Sequence, residues 1–149
     1  SSLPLSAVIS TKEIIDLDPS ANLSSTHAGN TLCCAAGLAN LEVLTSHEFQ
    51  SHLKRTSEYF ETRCGYLTQY APVEKVNVRG MIAGIIFNDS KLTGRIVERC
   101  INEGILIMDT KRESIKLGPP LTISIDALEE VFDVLEKNIR RELNYEFYL

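Results

Sequence analysis

The rhythm of apolar and polar positions changes part-way along the 149 residues, near Pro72. Residues 5–9 (Leu-Ser-Ala-Val-Ile) form an apolar run of the length and type expected of a short buried strand. Residues 11–16 then predict one or two helical turns, which Asp18-Pro19 ends. A polar loop over 19–30 leads into residues 31–44, rich in Ala, Leu and Cys. Their apolar positions run nearly all the way round a helix, which predicts one buried on most sides. Thr45-Ser46 can cap the next helix, which carries Phe49, Leu53, Phe60 and Leu67 on one face, reaches about Tyr70, and stops at Ala71-Pro72.

Beyond Pro72 the period shortens. Residues 73–79 and 81–87 are β-rich and separated by Gly80, as in adjacent strands or one bent strand. Asn88-Asp89-Ser90 can cap a helix over 91–102, closed by Glu103-Gly104. Residues 105–108 and 114–117 predict two short strands around a charged turn, and 121–123 a last extended piece. Ser124 then caps a helix to about Leu143, with Leu128, Val131, Phe132, Leu135 and Ile139 at three-four spacing. Residues 72–149 thus predict a small α/β sandwich with a mostly antiparallel sheet.

Charge narrows the class. Twenty acidic against 15 basic residues give a net charge of −5, and the longest basic clusters are pairs, Lys54-Arg55 and Arg140-Arg141. Nothing there favours nucleic acid. The longest nearly uncharged apolar stretch, 81–87, is too short to cross a bilayer, and no secretory leader is read at Ser1-Ser2-Leu3-Pro4. The four cysteines, at 33, 34, 64 and 100, make neither a disulfide framework nor, with His27, His47 or His52, a zinc spacing. They read as small buried hydrophobes in a reducing compartment, with the cytoplasm as the default.

Candidate chemistry is sparse. Ser24-Ser25-Thr26-His27-Ala28-Gly29-Asn30 supplies hydroxyls and a glycine beside a helix N-terminus, which suits an anion site and a plain capping loop alike. His27 alone reads as a packed or surface imidazole. Lys116, between Ile115 and Leu117, either faces a pocket and pairs with a carboxylate or guards the solvent side of an edge strand. Arg79 at a strand end predicts a structural ion pair. Asp126, Glu129, Glu130 and Asp133 predict a solvated helix face that complements the helix dipole.

Five segments, in order, resemble the C-terminal part of the class III (ornithine/4-aminobutyrate type) pyridoxal-phosphate-dependent aminotransferases. Leu3-Pro4-Leu5-Ser6-Ala7-Val8-Ile9 resembles the strand after that family's cofactor lysine. Ser25-Thr26-His27-Ala28-Gly29-Asn30-Thr31-Leu32-Cys33-Cys34-Ala35-Ala36 resembles its ST-aromatic-x-GNP-L-x-C-A-A segment. Val78-Arg79-Gly80, Gly104-Ile105-Leu106 and Ile115-Lys116-Leu117-Gly118-Pro119-Pro120-Leu121-Thr122-Ile123 match its closing signatures.

The resemblance implies an α/β fold of the fold-type I class: the tail of a large cofactor-binding domain and its connecting helices over 1–71, then a small C-terminal domain over 72–149. It implies pyridoxal 5'-phosphate as cofactor, with Thr26, joined by Ser25, reaching the cofactor phosphate of the neighbouring subunit in a homodimer. It implies Lys116 at the substrate carboxylate, where many members carry arginine; lysine keeps the charge but lacks the bidentate fork. Thr31 replaces a usual proline, loosening the first helical turn.

The implied activity is transfer of an amino group between an amino acid or ω-amine and a 2-oxo acid, both small molecules. An amino-acid racemase or aminomutase of the same fold, and a non-catalytic interaction module, are the alternatives. The resemblance puts the lysine that bonds to the cofactor upstream of Ser1, so this chain by itself is expected to be inactive. It also implies exposed apolar surface on residues 1–70, since the helix over 31–44 is parted from the sheet it packs on.

Overall fold

A computed structural model describes residues 3–15 and 26–145. The chain forms two compact units, Ser1–Gln50 and Ser51–Leu149.

The first unit holds α1 (Lys12–Ile15) and α2 (Thr31–Thr45), with the start of α3 (His47–Tyr66). Asn30 caps α2, its Oδ1 accepting from the Cys33 N–H at 3.1 Å. Ser46 closes α2 and opens α3: its hydroxyl donates to the Val43 carbonyl at 2.8 Å and accepts from the Phe49 N–H at 3.2 Å.

Two expectations fail in this unit. The strand expected over 5–9 is absent: residues 4–10 carry no regular structure, and Val8 and Ile9 are 87% and 92% exposed. A strand needs a neighbour to satisfy its backbone N–H and C=O groups, and no strand among the described residues of this unit offers one. Nor is α2 buried: none of its residues reaches the interior, and Leu32, Leu38, Leu41 and Val43 are exposed. An all-round apolar helix needs cover from several sides. Leu5 supplies some, lying over Gly37 where any side chain would collide with it. The exposed apolar surface expected of this region is therefore present on residues 5–9 and on α2.

The second unit is built on an antiparallel sheet of four strands in the order β1-β2-β4-β3. β1 (Val73–Arg79) and β2 (Ile82–Phe87) make a hairpin whose turn requires Gly80 at φ +55°. α4 (Ser90–Asn102) follows, with the Asp89 carboxylate accepting from the Lys91 N–H at 2.9 Å. Gly104, at φ +89°, lets the chain turn back at its end, where the Ile105 N–H reaches the Cys100 carbonyl at 2.9 Å. β3 is short, Met108–Asp109, because this closing turn takes up the residues after Gly104 and leaves two to pair with β4 (Ser114–Leu117). Residues 121–123 form a turn, closed by the Ile123 N–H on the Pro120 carbonyl at 3.0 Å, and not the extended piece expected. Pro119 and Pro120 have no N–H to give a ladder. α5 (Ile125–Tyr145) completes the unit, capped as expected by Ser124, whose Oγ accepts from the Ala127 N–H at 3.1 Å.

Strand alternation decides which face is buried. Ala83, Ile85 and Phe87 of β2 and Ile115 and Leu117 of β4 are buried in one core with Phe60, Leu67, Ile96, Leu128, Phe132, Leu135 and Ile139 from α3, its trailing turn, α4 and α5. The residues between them, Ile82, Gly84, Ser114 and Lys116, belong to the opposite face. Charged pairs tie the helices together: Arg63 of α3 meets Asp133 at 3.1 Å and Glu136 at 3.0 Å on α5. The Tyr70 hydroxyl donates to Glu136 at 2.8 Å and accepts from Arg140 at 2.8 Å and 3.0 Å. Asp126, Glu129, Glu130 and Asp133 are exposed, the solvated face expected of them.

Candidate functional site

Thr26 belongs to the first unit. It opens the turn over 26–29, which precedes the Asn30 cap of α2, and its side chain is exposed. Gly29 sits at φ +68°, and a Cβ there would meet nothing within 4 Å, so the turn is open to a ligand. Asn30 answers the Cys33 N–H, leaving the amide groups ahead of it at the positive end of the α2 dipole. A hydroxyl, an open glycine turn and a helix N-terminus form a donor set for an anion. Ser25 lies outside the described residues. His27 is exposed in the same turn.

Lys116 belongs to the second unit, and its position decides between the two readings left open for it. β4 lies between β2 and β3, so Lys116 is not on an edge strand. It is exposed and separates two depressions. One, of about 770 Å³, is apolar and lined by residues that include Ile105, Leu106, Met108, Pro119, Ile123 and Leu128. The other, of about 600 Å³, lies on the open sheet face and includes Asn77, Arg79, Gly84, Thr110 and Ser114. Lys116 thus borders a pocket as one reading held, but no carboxylate among the described residues pairs with it.

Arg79 corrects an expectation. It was to make a structural ion pair, yet it is exposed and, among the described residues, no carboxylate reaches it. The nearby carboxylate is engaged by the backbone instead: Glu61 of α3 accepts a hydrogen bond from the Gly80 N–H at 2.6 Å and holds the hairpin tip. Sequence reasoning missed Arg79 as part of the Lys116 face. The signal was the register across the Gly80 turn, which sets Arg79 opposite Ile82 and Asn77 opposite Gly84.

The cysteines do no visible chemistry. Cys64 and Cys100 are fully buried, and burial pushes their thiols up from 9.0 to about 12 and about 11. Cys33 and Cys34, expected to be buried too, are half-buried, for the same lack of cover that exposes α2. A thiol reagent at pH 8 should therefore modify Cys33 and Cys34 in the native chain and reach Cys64 and Cys100 only after denaturant is added. Counting released chromophore before and after unfolding checks this; immediate reaction of all four would contradict it. Both buried thiols favour the protonated form when folded, so their contribution is complete below about pH 9 and is lost as pH rises from there towards the folded values. Among the described residues no group of three or more His, Cys, Asp or Glu could hold a metal ion, and no helix is long and apolar enough to cross a membrane.

The family model for class-III aminotransferases matches residues 1–139. The chain belongs to that family. It is 29% identical over 126 residues to ornithine aminotransferase 2 of Staphylococcus aureus, covering 85% of this chain and 31% of that protein. It is 30% identical over 142 residues to the ornithine aminotransferase car2 of Schizosaccharomyces pombe, covering 91% and 32%. Among solved structures, it resembles a transaminase described with L-alanine at a TM-score of 0.75 and 17% identity, covering 83% of this chain and 32% of the other. It also resembles the adenosylmethionine-8-amino-7-oxononanoate aminotransferase of Methanocaldococcus jannaschii, at a TM-score of 0.71 and 26% identity, covering 79% and 29%. The chain spans about a third of the length of the curated relatives it matches. The α/β fold with its small antiparallel sheet is that of the fold-type I transaminases.

The residues present fit part of the cofactor such enzymes use. The open turn at Thr26 and the start of α2 suit the phosphate of pyridoxal phosphate, a dianion that hydroxyl and amide donors hold.

Proposed function

We propose that this chain is the C-terminal part of a pyridoxal-phosphate-dependent aminotransferase that passes an amino group between an amino acid or ω-amine and a 2-oxo acid. The observation that carries the reading is the match of the class III family over 1–139, which takes in both the Thr26 turn and the Lys116 strand. In a cytoplasmic homodimer, Thr26, with Ser25, donates to the phosphate of the cofactor held by the neighbouring subunit, and the N-terminus of α2 faces the same charge. Pyridoxal phosphate, when bound, supplies the electron sink for breaking bonds at the substrate's α-carbon. Lys116 holds the substrate carboxylate as a point charge, with no carboxylate among the described residues paired to it. The lysine that bonds to the cofactor and moves the proton lies upstream of Ser1, and none of the lysines here takes its place.

The test uses the full-length protein, extended upstream of Ser1, beside residues 1–149 alone. Borohydride reduction with pyridoxal phosphate should fix the cofactor to a lysine upstream of Ser1 and to no specific lysine of this chain. The full-length protein should convert an amino donor and a 2-oxo acid to the exchanged pair. Thr26→Ala should weaken cofactor retention roughly tenfold, the worth of one hydrogen bond to a charged group. Racemisation without a 2-oxo acid would favour the isomerase reading instead. A specific adduct within residues 1–149, or a full-length protein without the upstream lysine, would overturn the assignment.

A further inference from the structure

We propose that the outer edge of β3 is a site of self-association, at which two copies of this chain pair their segments 105–109 antiparallel about a two-fold axis through Ile107.

The two edges of the sheet are built differently. β1, at one edge, carries Glu74, Lys75 and Arg79 and a register shift between Val73 and Lys75, charges and an irregularity that discourage a further strand. β3, at the other edge, continues the run Ile105-Leu106-Ile107-Met108, which has neither a charge nor a proline. Residues 105–109 keep the alternation of a strand: Ile105, Ile107 and Asp109 are half-buried, while Leu106 and Met108 are 87% and 64% exposed. Only Met108 and Asp109 have a partner strand. Beside this edge lies the apolar depression of about 770 Å³, where Lys116 is the one charged residue among the described residues and Phe60, Leu117 and Leu128 of the core contribute to the lining.

The ladder fixes which backbone groups are free. The Thr110 N–H donates to the Ser114 carbonyl at 3.1 Å, and on the far side of β4 the Phe87 N–H donates to the Glu113 carbonyl at 2.6 Å. Residues 114 and 116 thus turn their N–H and C=O groups to β3, and 113, 115 and 117 turn theirs to β2. Met108, opposite Lys116, is bonded to β4, and the groups of Ile107 and Asp109 point away from the sheet.

A second copy matches these groups. With the axis through Ile107, the two Ile107 residues exchange N–H···O=C bonds, and the Asp109 N–H of each copy meets the Ile105 carbonyl of the other. The Ile105 N–H is not called on, since it already donates to the Cys100 carbonyl at 2.9 Å. Leu106 lies opposite Met108 on both sides of the axis, so the exposed apolar side chains cover each other. Asp109 falls opposite Ile105 and not opposite its own copy, so no like charges are brought face to face. An apolar edge that pairs with itself in this way gives a closed, isologous contact.

Sedimentation of residues 1–149 over a range of concentrations, with amide hydrogen exchange at Ile107 and Asp109, tests the pairing. The edge is short, so the dimer is expected to form at roughly 10–100 µM, with both amides protected as it forms. Leu106→Lys/Met108→Lys sets lysine opposite lysine and should weaken association about tenfold or more. Leu106→Lys/Met108→Glu sets lysine opposite glutamate in the same register and should restore most of it. Both positions are exposed, so neither variant disturbs the core. Leu32→Lys/Leu41→Lys, on the exposed surface of α2, should leave association unchanged. A chain still monomeric at roughly 1 mM, equal effects of the two variants at 106 and 108, or association lost through α2 instead would overturn the inference. So would protection of Ile107 and Asp109 in a monomer of residues 1–149, or in the full-length protein with no second copy bound, because another segment of the same protein would then hold the edge.

Discussion

Phe132→Ala is expected to lower the unfolding free energy of the second unit by about 3–5 kcal/mol, the range for emptying a large aromatic site in a packed core. Phe132 is fully buried on α5, and its ring lies 5.7 Å from that of Phe60 on α3, tilted at 55°. The Arg63 guanidinium lies 5.2 Å from the centre of the same ring, so truncation removes an aromatic pair and a cation–π contact together. The void would open between α3 and α5, where the backbone cannot close it without loosening the Arg63 pairs to Asp133 and Glu136. Phe132→Leu, which keeps most of the volume, should cost about 1–1.5 kcal/mol. Urea unfolding followed by tyrosine fluorescence measures both. Losses that match in the two variants would mean that the ring's own contacts, and not the volume it fills, hold these helices.

The joint variant Arg95→Ala/Arg99→Ala should lose a similar amount, for an electrostatic reason. Glu142 on α5 has a side chain only 1% exposed, and α4 supplies both its counter-charges. Arg95 meets one carboxylate oxygen at 2.5 Å and 2.9 Å, and Arg99 meets the other at 2.5 Å. Without the arginines a carboxylate is left in the interior with no counter-charge, which costs about 3–5 kcal/mol. Glu142→Leu should cost much less, about 1–2 kcal/mol, because the arginines, 48% and 26% exposed, can turn to water. The order of the two losses is the measurement. A larger loss for Glu142→Leu would show that packing of the acid's stem, and not compensation of its charge, joins α4 to α5.

Local chemistry carried most of the second unit. Asp89, Ser124 and Gly104 act at the helix ends where their residue types predict, and Gly80 turns the hairpin because the conformation it adopts penalises a side chain. Two strands were misjudged in extent for one reason. Periodicity reports what a segment could bury, whereas a strand exists only where a neighbour takes its hydrogen bonds, and residues 105–107 and 121–123 have none. The same rule undoes residues 5–9 in the first unit. The exposed leucines of α2 express the matching fact about helices, since an apolar surface records a need for cover and not its presence.

The candidate site divides in the same way. The Thr26 turn and the Lys116 strand were visible as residue types in order, and the family match bears out the resemblance they suggested. The company each keeps was not visible. That Lys116 sits on an inner strand, opposite Gly84, depends on pairing between segments some 30 residues apart.

By itself, then, the order of residues determined the helices, their caps, the hairpin turn and the family, because these rest on contacts within a few positions or on whole motifs. Only the folded arrangement decided which face of the sheet is covered and which charges find partners. Those outcomes arise from long-range pairing and exclusion of water, and no local pattern encodes them.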